Sequence, residues 1–273
     1  MSQDIMFPTT SDILPEWYEP YRRRIHSILS AGYSLVLVSK PHQEVWEKLA
    51  NELLNFQDRI IIRFTIGSQD NALLKLLEPG APCFEERLEC LKIMHAAGYR
   101  TSVSMEPAID LLNTPDTIKK VMPYCNADIW VGTLNHLTRV RKMNQNNPAV
   151  LKAIDEIAMN QSPSAKTHAL LKTIQSLSPM LEFKQGDTLG HADFRKQLRL
   201  PERKFGVSEW GDNKDKPENY NLLKGCSHNC IYCYAKHDQI QKKIATAESW
   251  CNPVLKTSQP KCYRLEQARV SCF

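Results

Sequence analysis

The sequence predicts an α/β fold, and three observations carry that reading. Apolar, largely β-branched runs end in polar groups, amphipathic stretches separate them, and the two kinds alternate regularly. Such alternation builds βαβ units around a mostly parallel sheet. It does not by itself separate a closed barrel from an open sheet.

The strand-like runs are YSLVLVSK at 33–40, RIIIRFTIGS at 59–68, RTSVSMEP at 100–107 and DIWVGTLN at 128–135. A shorter run at 5–8, followed by the polar residues 9–12, is a fifth. Near-continuous apolar strands imply burial on both faces, the habit of parallel sheets. Between them, residues 15–31 carry Trp17, Tyr21, Ile25, Ile28 and Leu29 at helical spacing and stop at Gly32, which suits a helix C-terminus. Residues 43–55 and 83–97 behave likewise, the second ending before Gly98. After Asn135 the pattern weakens. Residues 137–147 are basic and polar, 149–159 and 164–177 read as helices, and 186–204 read as a linker.

The chain has 273 residues, 42% hydrophobic and 24% charged. That is ordinary globular composition, and the length is enough for one domain over 1–273 with a single large core. No apolar run reaches the roughly 18 residues of a membrane span, and residues 1–12 lack the basic-then-apolar order of a signal peptide. A cytoplasmic protein is expected, with no membrane partner. Its nine cysteines then read as free thiols or metal ligands rather than disulfides. The net charge of +5 and pI of 8.6 are compatible with a polyanionic partner, but a solvated surface with a slight lysine excess explains them as well.

The strongest chemical signal is GCSHNCIYCYA at 225–235. Cys226, Cys230 and Cys233 can wrap one small inorganic body from a single tight loop. A [4Fe–4S] cube offers four iron corners, each of which takes a thiolate. Three cysteines leave one corner open to a small molecule. Zinc is the competing occupant. It usually takes four Cys or His ligands with two-residue gaps, and His228 is the available fourth.

The spacing CX3CXΦC, with the aromatic Tyr232 before the third cysteine, resembles the signature of the radical S-adenosylmethionine superfamily. Further segments resemble its branch related to spore photoproduct lyase, the DNA repair photolyase-like proteins. They are FPTTSDILPE at 7–16, LVLVSKPH at 35–42, RFTIGSQDNALLKLLEPGAPCFEERLE at 63–89, SVSMEPAID at 102–110, DIWVGTLNHL at 128–137 and GVSEWGD at 206–212. The resemblance implies a partial (β/α)6 TIM-type barrel in which the cluster opens S-adenosylmethionine to a 5′-deoxyadenosyl radical. It implies an electron donor such as flavodoxin or ferredoxin; the substrate stays open, with nucleic acid as one candidate. The order departs from the family. The cysteine loop, which there follows the first strand, comes last here, so that 1–135 matches strands two to six, 136–205 supplies helices and linker, and 206–273 matches the first strand, loop and first helix. A circular permutation, broken between first helix and second strand, accounts for this.

Ligands of parallel α/β folds collect at the C-terminal strand ends. The polar residues there are Thr9, Thr10, Ser11, Asp12, Ser39, Lys40, Thr65, Ser68, Glu106 and Asn135. By the resemblance, Ser11, Lys40, Thr65 and Glu106 fall where the family contacts S-adenosylmethionine. Lys40 would face its carboxylate, Tyr232 would lie against the cluster, and Tyr234 would give backbone contacts near the adenine. Thr9 stands where the lyase carries a hydrogen-donating cysteine, and a threonine O–H bond is too strong for that role. The resemblance therefore does not extend to spore photoproduct repair by that route. Cys83, Cys90 and Cys125 read as packed structural thiols, and Cys251, Cys262 and Cys272 as tail thiols of which one is a candidate donor. The basic stretch RVRK at 139–142 reads as a solvated helix face, with a phosphate contact as its alternative. Two other classes stay open: a nucleic-acid-binding protein with a structural cluster, and a zinc-stabilised binding module.

Overall fold

The β-branched runs form strands where side chains must stack on a pleated surface, and the amphipathic runs form the helices that cover them. A computed structural model describes residues 4–162, 164–183 and 221–256 of the chain. In order, its first half comprises β1 (Asp4–Phe7), α1 (Tyr18–Ser30), β2 (Ser34–Ser39), α2 (Gln43–Glu52), β3 (Ile60–Thr65), α3 (Asn71–Leu77), α4 (Phe84–Ala96), β4 (Arg100–Met105), α5 (Thr114–Val121) and β5 (Ile129–Val131). Then follow α6 (Leu137–Met143), α7 (Pro148–Gln161), α8 (Ala165–Ser176) and β6 (Leu181–Phe183). The cysteine segment adds β7 (Leu223–Lys224), α9 (Tyr234–Gln241), α10 (Ala247–Cys251) and β8 (Val254–Leu255).

Strands β1 to β6 form one sheet in sequential order, every neighbouring pair parallel. Helices flank it, as the alternation predicts. One face is apolar. Ile60, Ile62 and Phe64 alternate inward along β3, and the Phe64 ring meets Trp46 of α2 edge-on at 4.6 Å between centroids. The opposite face of β3, with Ile61, Arg63 and Thr65, is only partly buried. There Arg63 makes two 2.8 Å bonds to Asp128, a 3.0 Å bond to Ser102, and lies over the Trp130 ring. The expectation of two buried faces thus holds for β4, buried from Thr101 to Met105, but not for β3. Arg63 needs water or carboxylate on its side and cannot sit in a dry layer.

Both helix-ending glycines behave as the sequence implies. Gly32 has φ of 90° and Gly98 of 87°, left-handed conformations that a Cβ disfavours. Five elements were not anticipated: α3, α5, β6, α10 and β8. Strand β6 extends the sheet beyond β5, so the run at 128–135 is not the last strand. The predicted first-strand segment divides. Residues 206–220 lie outside the described residues, as do the linker at 186–204, Cys262, Cys272 and both chain ends. Leu223–Lys224 pairs antiparallel with Val254–Leu255 and does not join the parallel sheet. Among the described residues, no helix is long and apolar enough to cross a membrane.

The remaining cysteines and the basic stretch are also placed. Cys90 and Cys125 are buried as expected, but Cys83 is exposed because it sits at the turn preceding α4. Two arginines of the basic stretch carry carboxylate partners: Arg139 bonds Asp238 of α9 at 2.8 Å, and Arg141 meets Asp155 of α7 at 2.7 Å. These pairs are half exposed and contribute at most modestly to stability.

Candidate metal centre

Each turn of the cysteine loop has a local cause. Gly225, with φ of 106°, opens it, and a Cβ there would stand 2.6 Å from the Trp250 carbonyl oxygen. Glycine is the residue that fits. The Cys226 amide then donates to that carbonyl at 2.8 Å, which ties the loop's start to α10. Asn229, at φ of 51°, makes the left-handed step between the first two cysteines, a conformation asparagine tolerates. Lys236 donates to its side chain. Cys233 closes the loop as the cap of α9, its sulfur accepting from the Lys236 amide at 3.5 Å.

The loop sits at the C-terminal edge of the parallel sheet. Asn221 Oδ1 accepts from Thr10 N at 2.9 Å, Thr9 N at 3.3 Å and Thr9 Oγ1 at 2.9 Å, which fixes the approach to the cysteines beside the end of β1. Asp12 is the hub. Its Oδ1 accepts from the Lys40 amide at 2.6 Å and from Ser39 Oγ at 3.3 Å. Its Oδ2 lies 2.7 Å from His228 Nδ1, 3.8 Å from Lys40 Nζ and 3.9 Å from Cys226 Sγ. A carboxylate can only accept, so His228 carries its proton on Nδ1. His228 Nε2 in turn lies 2.7 Å from His42 Nε2.

Burial alone would raise the Asp12 carboxyl, but Lys40 and His228 outweigh it and hold the group far below the usual carboxylate range. A depressed folded value stabilises the fold above the unfolded value of about 3.9 and is lost as pH falls from there toward the folded one. Glu78 adds to the same trend: burial pushes it up, and Arg87 and Lys40 more than reverse that. Urea midpoints should therefore fall as pH drops below about 4, and Asp12→Asn should flatten that fall. An acid titration of the two chains checks this.

The three thiols share one electrostatic setting. Cys226 and Cys230 are each 6% exposed, and Cys233 is partly buried. Burial pushes all three thiols up, Cys226 to about 12. Lys40 favours the thiolate of every one of them, and Asp12 disfavours every one. Of the three, Cys226 is placed by direct contact, its Sγ 3.9 Å from the Asp12 oxygen that Lys40 Nζ approaches to 3.8 Å. This donor set fits an iron–sulfur cluster: thiols only, mostly dry, presented by one loop with a cation at hand.

A second grouping is tighter. Asp12, Cys226 and His228 offer ligand atoms all within 4.8 Å of one another, the spacing of ligands on a single ion. It differs from the zinc set expected from sequence, which joined His228 to all three cysteines. Lys40 Nζ, 3.8 Å from the same Asp12 oxygen, opposes a second cation there.

The other candidates are distributed around the edge. Ser11 Oγ bonds Tyr21 Oη at 2.7 Å, Glu106 accepts from Ser104 Oγ at 2.9 Å, and the Thr65 carbonyl accepts from Arg87 at 3.2 Å. Tyr234 is 55% exposed and donates to the Thr9 carbonyl at 3.2 Å. The Tyr232 hydroxyl donates to the buried Glu78. Sequence reasoning passed over Glu78, Gly80, Arg87 and His42; only the unusual LEPGAP stretch at 77–82, rich in turn formers, signalled the first two. No family model, no curated protein and no solved structure matches the chain.

Proposed function

We propose that the chain is a radical S-adenosylmethionine enzyme related to the spore photoproduct lyase branch, built as a circularly permuted partial (β/α)6 barrel. The observation that carries this reading is the placement of the loop of Cys226, Cys230 and Cys233 at the C-terminal edge of a parallel sheet, with Cys226 Sγ 3.9 Å from the Asp12 oxygen that Lys40 Nζ approaches to 3.8 Å. Sequential strand order without a reversal supports the barrel over a doubly wound sheet. Asn221 beside Thr9 and Thr10 supports the permutation, because it brings the C-terminal segment next to β1.

The cluster, when bound, supplies the electron that cleaves S-adenosylmethionine reductively. Cys226, Cys230 and Cys233 would hold it. Lys40 offsets the charge of three thiolates and stands ready for the carboxylate of the cofactor. By the resemblance, Ser11, Thr65 and Glu106 would contact the cofactor and Tyr234 would give it backbone contacts. Electrons come from a flavodoxin or ferredoxin, and nucleic acid is the substrate class to test first. Protein purified without oxygen and supplied with iron and sulfide should carry about four irons per chain and release 5′-deoxyadenosine on reduction. Iron without cofactor cleavage leaves a structural cluster, consistent with a nucleic-acid-binding protein.

A second reading, a zinc-stabilised module, draws on the Asp12, Cys226 and His228 grouping. Zinc without iron after the same purification favours it.

A further inference from the structure

The cysteine loop is gripped from outside by a segment that carries no candidate metal ligand. Gly80 N donates to the His228 carbonyl at 3.0 Å, and Ile231 N donates to the Leu77 carbonyl at 2.8 Å. The Tyr232 hydroxyl donates to Glu78. These bonds fall at residues 228, 231 and 232, on both sides of Cys230. A Cβ at Gly80 would overlap the Ser227 carbonyl oxygen and stand 2.9 Å from His228 Cα, so the two backbones touch with no room for a side chain. Behind them Glu78 pairs with Arg87 at 2.5 Å, both side chains fully buried. Arg87 also donates to the Pro82 carbonyl at 2.8 Å and to the Thr65 carbonyl at the end of β3. A buried ion pair gives little net stability, since desolvation offsets its attraction. What this one does is fix Glu78, and through it Tyr232, against the sheet.

We propose that residues 77–80, with Arg87 behind them, are a positioning clasp that holds the cysteine loop ready for metal. The proposal rests on the reading of the three cysteines as metal ligands, whichever metal they take. Partners outside the ligand set orient ligands before metal arrives, and their loss typically weakens metal binding by about 10- to 100-fold.

Tyr232→Phe and Gly80→Ala test this. Tyr232→Phe removes one hydroxyl and leaves the Glu78–Arg87 pair intact, so it keeps the test usable should Gly80→Ala fold poorly. Cobalt(II) is the probe, because its thiolate absorption reports the cysteines under either metal reading. Both variants should bind cobalt(II) about 10- to 100-fold more weakly. In the metal-free chain, amide exchange should quicken at Gly80 and across 226–233 while β2, β3 and β4 stay protected. Wild-type cobalt affinity in Tyr232→Phe overturns the clasp, as does exchange that quickens throughout the sheet. If the wild-type chain binds neither cobalt nor iron, the metal reading fails, and exchange confined to the loop or spread through the sheet still decides the clasp.

Discussion

Cys230→Ala should lower bound iron from about four atoms per chain to background and abolish 5′-deoxyadenosine release. Cys230 is the middle thiol, 6% exposed, and the segment at 77–80 bonds the loop on both sides of it. Its loss leaves two thiols on opposite flanks of the loop, too few to hold a cube by three corners. Loading should also depend on pH. Burial pushes each thiol up, so at neutral pH each must release a proton when metal binds. Affinity should rise with pH, on the order of tenfold per unit for each thiol engaged. Iron analysis and a cleavage assay on both chains decide the matter. A Cys230→Ala protein that retains the iron and the cleavage would falsify the assignment.

The second large effect concerns Asp12. Asp12→Asn removes the countercharge of Lys40, which is 12% exposed and cannot reach bulk water freely. Removing one partner of a buried pair costs about 3–5 kcal/mol, a fall in Tm on the order of 10 °C for a chain this long. Lys40→Met should cost less, because Asp12 keeps His228, Ser39 and the Lys40 backbone amide. The double variant should recover part of the loss, giving a coupling measurable by a double-mutant cycle. Equal losses for the two single variants, adding without coupling, would contradict the pairing.

Much of the fold was legible because the strands repeat one design. LVLV and IIIRF announce β2 and β3, and Gly32 and Gly98 mark two helix ends at left-handed turns. The misses are short. LEF of β6 has three residues, below any period, and NALLKLL of α3 is apolar nearly throughout, so it shows no face. The cysteine spacing was legible because it lies within eight residues. Its surroundings were not. Asp12 meets His228 across 216 positions, and Tyr232 meets Glu78 across 154. Chain folding creates these contacts, and no local pattern encodes them. Asp12 did stand among the strand-end polar residues, but its bond to Lys40 appears only once β1 and β2 lie side by side.

The distance along the chain between Asp12 and Cys226 has a consequence for biosynthesis. During translation, residues 4–183, which hold all six parallel strands, leave the ribosome before any of the three thiols. Closing the remaining loop costs only slowly more entropy with length, so a scaffold already folded can capture the late segment. Any metal held by the three cysteines would then bind only after the residues of the parallel sheet have been made.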